Sequence, residues 1–252
     1  MQLARGIGIV WPGPVTPQDV EETRRFVPAG VLLHMMATAH KIDPAADGGI
    51  TLQRVLGLAE DANIEAAAKG LAPLGVSAIG YGCTSASYVR GIDGATDIVE
   101  RIADATGLPA STTSTAAVTA LRHLRVRRVA VLSPHIDALN ERLRLFLEGS
   151  GFEVVTMNGL NMADDIELLP PETIRDLVVG EMDRSDADGV FVSCTGMRTA
   201  TVIDEIERKI GKPVVTALQA TVWDLLRLAG GPLVLPSMGR LYGDSVPAQP
   251  TP

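Results

Sequence analysis

SAIGYGCTSASYVRG, residues 77–91, places a cysteine at the end of a β-type run and follows it with small hydroxyl residues. DGVFVSCTGM, residues 188–197, repeats the arrangement, and Cys83 and Cys194 are the two cysteines of the chain. Working outward, similar short apolar runs occur at GIGIVWP (6–12), VLLHMMAT (31–38), RRVAVLSP (127–134), FEVVTMNG (152–159) and KPVVTA (212–217). Short runs bounded by Gly, Pro or Asp read as buried parallel strands. Segments of helical period lie between them, at about 52–72, 92–105, 114–124, 138–149, 172–183, 199–210 and 218–229. In NERLRLFLEG, for example, Leu143, Phe146 and Leu147 share a face and Gly149 supplies a stop. Strand and helix in alternation predict an α/β fold with parallel sheets.

The order repeats within the chain. GIVWPGP opens the first half as AVLSPHI opens the second; each half then reaches a strand ending in Cys-Thr, a helix, and a Gly-x-Pro step into another strand (TGLPAST and IGKPVVT). Ligands of open parallel sheets sit beyond the carboxyl ends of the strands. Two facing halves therefore predict Cys83 and Cys194 across one cleft.

Composition limits what such a cleft handles. The chain has 252 residues, 46% of them apolar, with a net charge of −8. No basic stripe is present, which argues against nucleic acid. The opening MQLARGIGIVWPGP is too short an apolar run for a signal peptide, and no apolar stretch of membrane-spanning length occurs, so the expected setting is the cytoplasm, away from membranes. Two cysteines in a reducing compartment need no bridge and are too few for a structural zinc site. RGIGIVWPG lacks the third glycine and following helix of a dinucleotide site, so no cofactor is called for. A homo-oligomer is neither required nor excluded.

A thiol on each side of a small cleft suits proton transfer at a carbon next to a carboxylate. One group removes a proton from one face while the other delivers one to the opposite face, and helix-start N–H groups are expected to bring a thiol from about 8.5 toward neutrality. The same thiolate can add to an electron-poor double bond. Thr84, Ser85 and Ser87 after the first cysteine, and Thr195 and Gly196 after the second, read as helix starts offering donors to an anion. The plainer alternative is two buried small hydrophobes at strand ends.

The sequence resembles the aspartate/glutamate racemase superfamily, in its branch of maleate cis–trans isomerases and arylmalonate decarboxylase. The resemblance rests on GYGCTSASYVRG, STAAVTALRHLRVRRVAVLSPHIDALNERL, DGVFVSCTGM, ERKIGKPVVTALQATVWDLLRLAG and the closing GRLY. It implies two pseudo-symmetric flavodoxin-like halves with the site between them. It further implies that the chain crosses near 108–115 and returns near 216–220, giving halves of 1–112 plus 218–242 and of 113–217. The Pro-rich tail 243–252 reads as disordered.

By the same resemblance Cys194 falls on the family's catalytic cysteine and Cys83 on its opposite-face partner, while Thr84, Ser85, Thr195 and Gly196 fall on carboxylate-holding positions. Pro12 and Gly13 would shape the loop on the first-half side. The decarboxylase has glycine where this chain has Cys83. The isomerases have both cysteines but also a PSSN-type segment, for which WPGPVT offers no asparagine. His135 stands where both relatives have tyrosine, and is expected to contribute to carboxylate binding; His34 and His40 read as ordinary core or rim residues. The leading expectation is a cofactor-independent isomerase or racemase acting on a small carboxylate or dicarboxylate. The alternatives are an arylmalonate-type decarboxylase with Cys194 as proton donor, and a non-catalytic small-acid binding protein.

Overall fold

The computed structural model describes residues 6–38 and 49–243. Its first sheet is built from β1 (Gly6–Trp11), β2 (Leu32–Ala37), β3 (Val76–Tyr81) and β4 (Ala110–Thr112), all parallel in the order β2-β1-β3-β4. The second contains β5 (Arg128–Ser133), β6 (Glu153–Gly159), β7 (Gly189–Val192) and β8 (Val214–Thr216), parallel in the order β6-β5-β7-β8. The two sheets share one topology. Every residue of β1 and of β7 is buried, as expected of interior strands covered on both faces.

The connecting helices differ from the periodicity reading in three places. Residues 52–72 are two helices, α2 (Leu52–Ala59) and α3 (Asn63–Leu71), because Asp61 Oδ1 accepts from the Asn63 backbone N–H and starts a new turn. An unforeseen α1 (Pro17–Arg25) begins at a Thr16/Asp19 capping box with proline in its first turn. The segment after Cys194 stays in turns, and α9 begins only at Ile203, ending at Ile210. The remaining helices are α4 (Thr84–Tyr88), α5 (Gly91–Thr106), α6 (Thr113–His123), α7 (Asp137–Gly149), α8 (Pro171–Met182) and α10 (Ala217–Leu228).

Helices α6 and α10 follow β4 and β8, each from a capping box, at Thr112/Thr115 and Thr216/Gln219. They pack closely on each other, and α10 packs back on β3 and β4 while α6 touches β8. Buried polar contacts fix this crossing: Thr221 Oγ1 donates to Thr113 Oγ1 at 3.0 Å and Ser111 Oγ to Asp224 Oδ2 at 2.7 Å. Trp223, fully enclosed, stacks at a tilt on His123 with ring centres 5.0 Å apart. Each sheet is thus covered in part by the helix that closes the other. The expected tail, from residue 244 onward, and His40 lie outside the described residues.

Candidate active site

In each sheet the strand order reverses between its first and third strands, the place where α/β sheets leave a crevice at the carboxyl edge. Val10 pairs with Tyr81 in one sheet and Leu132 with Val192 in the other. Two residues beyond Tyr81 stands Cys83, and two beyond Val192 stands Cys194. Pro12, one step past β1, and His135, two past β5, come from the strands beside them.

These residues wall one cavity of about 150 Å³. Cys83, Thr84, Ser85 and Pro12 line it from the first sheet, and His135, Cys194 and Thr195 from the second. Helix α2 closes one side with Arg54, Val55 and Leu58, joined by Ile50. Arg54 and Leu58 are one helical turn apart and so share a face. A larger hollow around Glu207 and Arg240 is open to solvent and lined by neither thiol.

Of the sequence-derived candidates, Gly13 and Gly196 are not part of the wall. Gly13, at φ +99°, serves the turn that leaves β1, a conformation glycine adopts without strain. Gly196 acts through its backbone: its N–H, with that of Met197, is directed at the Cys194 sulfur. His34 lies on β2, away from the cavity wall.

Both thiols are free. Cys83 is the residue before α4, and its sulfur lies 3.8 Å from Ser85 Oγ. Burial lifts its pKa above the ordinary thiol range, against the N–H of Ala86, the hydroxyls of Ser85 and Tyr81, and the charge of Arg54, all of which hold it down. The Cys194 thiol is pushed up to about 12, first by burial and then by the neighbouring Cys83 and Glu167, with the Gly196 and Met197 N–H groups opposing. The backbone donors expected from the sequence are therefore present. Desolvation outweighs them, which corrects the expectation of near-neutral thiols. The donors at Cys194 come from a turn and not from a helix start.

Cys194 itself has φ +89°, in the left-handed region that a non-glycine residue occupies at a cost. His135 is 2% exposed, and neither ring nitrogen has a hydrogen-bond partner among the described residues. Burial lowers its pKa to about 4, so the imidazole is neutral at ordinary pH. Thr84 Oγ1 is likewise buried without a partner, whereas Thr195 Oγ1 donates to the Gly82 carbonyl at 3.2 Å. Buried polar groups are normally satisfied, so unspent capacity on a cavity wall marks where a polar ligand would be held.

Besides the apolar wall residues Ile50, Val55 and Leu58, two polar residues escaped the sequence reading: Arg54 on the wall and Tyr81 behind the Cys83 thiol. Tyr81 had a signal, since strand alternation puts it on the same side as Cys83; its hydroxyl donates to the Leu58 carbonyl at 3.1 Å and also reaches the thiol. Arg54 had a weak one, a lone charge within TLQRVLGLA.

The family model described as arylmalonate decarboxylase matches residues 49–242. The arylmalonate decarboxylase of Bordetella bronchiseptica is 35% identical over 80% of this chain and 87% of its own. A maleate isomerase of Pseudomonas putida is 29% identical over 73% of this chain and 76% of its own. Among solved structures, a liganded arylmalonate decarboxylase variant with one glycine changed to cysteine and one cysteine to serine superposes with a TM-score of 0.81. It is 30% identical and covers 96% of this chain and 100% of the variant.

Proposed function

The chain belongs to the arylmalonate decarboxylase family, and from that premise we propose that it is a cofactor-independent isomerase or racemase of a small carboxylic acid, worked by Cys83 and Cys194. The observation that carries this reading is the pair of thiols on one small cavity, at equivalent points of two sheets of identical topology. A cavity of ~150 Å³ is the size that admits benzene. An acid of about four to six carbons fits that space.

In this reading the Cys83 thiolate either takes the proton from the α-carbon or adds to a conjugated double bond. In the first course the C–H electron pair passes into the carboxylate as an enediolate, and the Cys194 thiol returns a proton to the opposite face. In the second, an S–C bond forms, the electron pair again moves into the carboxylate, rotation follows about what is now a single bond, and expulsion of the thiolate restores the alkene. Both courses balance without oxidant or reductant. Thr84 and His135 supply unspent polar capacity toward a carboxylate.

A second reading, decarboxylation of a disubstituted malonate with Cys194 protonating the enediolate, is favoured by the 35% identity to the Bordetella enzyme. Proton NMR in D2O across a panel of α-chiral acids, cis-alkenedioates and disubstituted malonates separates the two. The leading reading expects deuterium at an α-carbon or cis-to-trans conversion, abolished by Cys83→Ser and by Cys194→Ser with the fold intact. Loss of CO2 that survives Cys83→Gly would establish the second reading in its place. No turnover of any panel member, with both thiols no more reactive than a free thiol, would leave a small-acid binding protein.

A further inference from the structure

The chain after Cys194 enters no helix until Ile203, and Thr199 and Ala200 are buried within this irregular stretch. Their backbone N–H groups both donate to one oxygen, Glu22 Oε1, at 2.8 and 2.9 Å. Glu22 stands on α1, the helix that follows Pro12 of the cavity wall along the chain, so a carboxylate of the first half closes on the turn that carries the thiol of the second. On its other side Thr199 Oγ1 donates to Thr216 Oγ1 at the end of β8, at 3.0 Å. Nearer the thiol the turn folds over the sulfur. The Met197 N–H donates to the Cys194 carbonyl at 3.3 Å, and a Cβ placed on Gly196 would stand 3.6 Å from Cys194 Sγ.

We propose that Glu22 is a positioning residue for Cys194, acting through the Thr199 and Ala200 amides to hold the turn of Thr195, Gly196 and Met197 against the thiol. The inference rests on the two-thiol reading above. Cys194 has φ +89°, and a residue with a side chain keeps such a conformation only where its surroundings over-determine it. The first half supplies that constraint at both ends of the turn: the Gly82 carbonyl accepts from Thr195 Oγ1 at the near end, and Glu22 holds Thr199 and Ala200 at the far end. Without Glu22 two buried N–H groups lose their acceptor, and such donors are costly to leave unpaired. The turn then relaxes toward other partners and takes Gly196 and Met197 with it.

The test compares Glu22→Gln, Glu22→Asp and Glu22→Ala with wild type, by amide hydrogen exchange and by kinetics on whichever acid of the panel turns over. Glutamine puts an oxygen where Glu22 Oε1 stands and keeps both bonds without the charge; aspartate keeps the charge but is one methylene short. In Glu22→Ala and Glu22→Asp the Gly196 and Met197 amides should exchange about tenfold faster or more, over a labelling time in which β1 and β5 stay protected. In the same two variants kcat falls about tenfold or more while KM stays within about twofold, because the placing of Cys194 is what is lost. Glu22→Gln stays within about threefold of wild type on both readouts. Exchange that changes at Thr199 and Ala200 but not at Gly196 and Met197, or kcat unmoved beside a loosened turn, overturns the inference. So does Glu22→Asp matching wild type while Glu22→Gln matches Glu22→Ala, which would make the charge the operative feature, or loss of protection across both sheets, which would make Glu22 a brace of the whole fold. Exchange needs no turnover, so an inactive panel with the turn loosened by Glu22→Ala and restored by Glu22→Gln would sink the functional reading and leave the anchoring of the Cys194 turn standing.

Discussion

The Thr195 hydroxyl donates to the Gly82 carbonyl at 3.2 Å, joining the residue after one thiol to the residue before the other. This bond crosses from the second half to the first at the cavity, so it ties together the chain segments that carry the two thiols. Thr195→Val keeps the shape and removes the bond. The expected cost is about 1 kcal/mol of stability, with a larger loss in kcat/KM, about tenfold or more, because small misplacements of reacting groups are expensive. Thermal unfolding alongside kinetics on wild type, Thr195→Val and Thr195→Ser checks it; a lowered Tm with unchanged kcat/KM would make the bond purely structural.

The pH dependence of activity follows from burial of both thiols. Work by one thiolate and one thiol needs the first to lose its proton and the second to keep it. Since burial lifts Cys83 and pushes Cys194 up to about 12, kcat/KM should climb with pH and show no plateau below the free-thiol value of about 8.5, falling only toward the upper limb. The limbs belong to the coupled pair. A profile flat from about pH 6 to about pH 8 would mean that a lower-pKa group is the base.

His135 predicts a different pH effect, on stability. Its folded pKa is about 4, against about 6.5 for an exposed histidine. Between those values the unfolded chain binds a proton that the folded imidazole refuses, so stability is lost as pH falls from about 6.5 to about 4 and levels off below. The full change is on the order of 3 kcal/mol. His135→Gln should flatten that part of the curve measured by urea unfolding at stepped pH, and an unchanged slope would assign the acid sensitivity elsewhere.

Cys194 holds its sulfur in place by a backbone conformation with φ +89°. A residue with a Cβ is strained there by roughly 1–2 kcal/mol, and glycine is not. Cys194→Gly should therefore be at least as stable as Cys194→Ala, the reverse of the order expected in ordinary backbone. Denaturant midpoints of the two inactive variants decide the matter. Alanine winning by about 1 kcal/mol would mean that the turn relaxes and stores no strain.

Much of the fold was legible because its signals are local. The runs from GIGIVWP to KPVVTA announce seven strands through β-branched residues and bounding Gly, Pro or Asp, and the repeated Cys-Thr steps place both thiols at strand ends. The eighth strand, Ala110–Thr112, is three residues long, and its one signal in the sequence was the Gly-x-Pro step before it. The break at Glu60–Ala62 was hidden because Leu52–Leu71 keeps its helical period across it, and α1 because its composition is too polar to show an apolar face.

The sequence by itself determined the α/β class, the equivalence of the two halves and the identity of the paired thiols, since these depend on period, spacing and order along the chain. Only the tertiary structure decided the desolvation of those thiols, the placing of Arg54 on the cavity wall and the crossing bond from Thr195 to Gly82. The physical reason is that desolvation and Coulomb interaction depend on distance through space. Local donors at Ala86 and Gly196 are written in the chain next to their cysteines, but the burial that overrides them is made by α2 and the opposite sheet, and exists only once both have closed over the cavity.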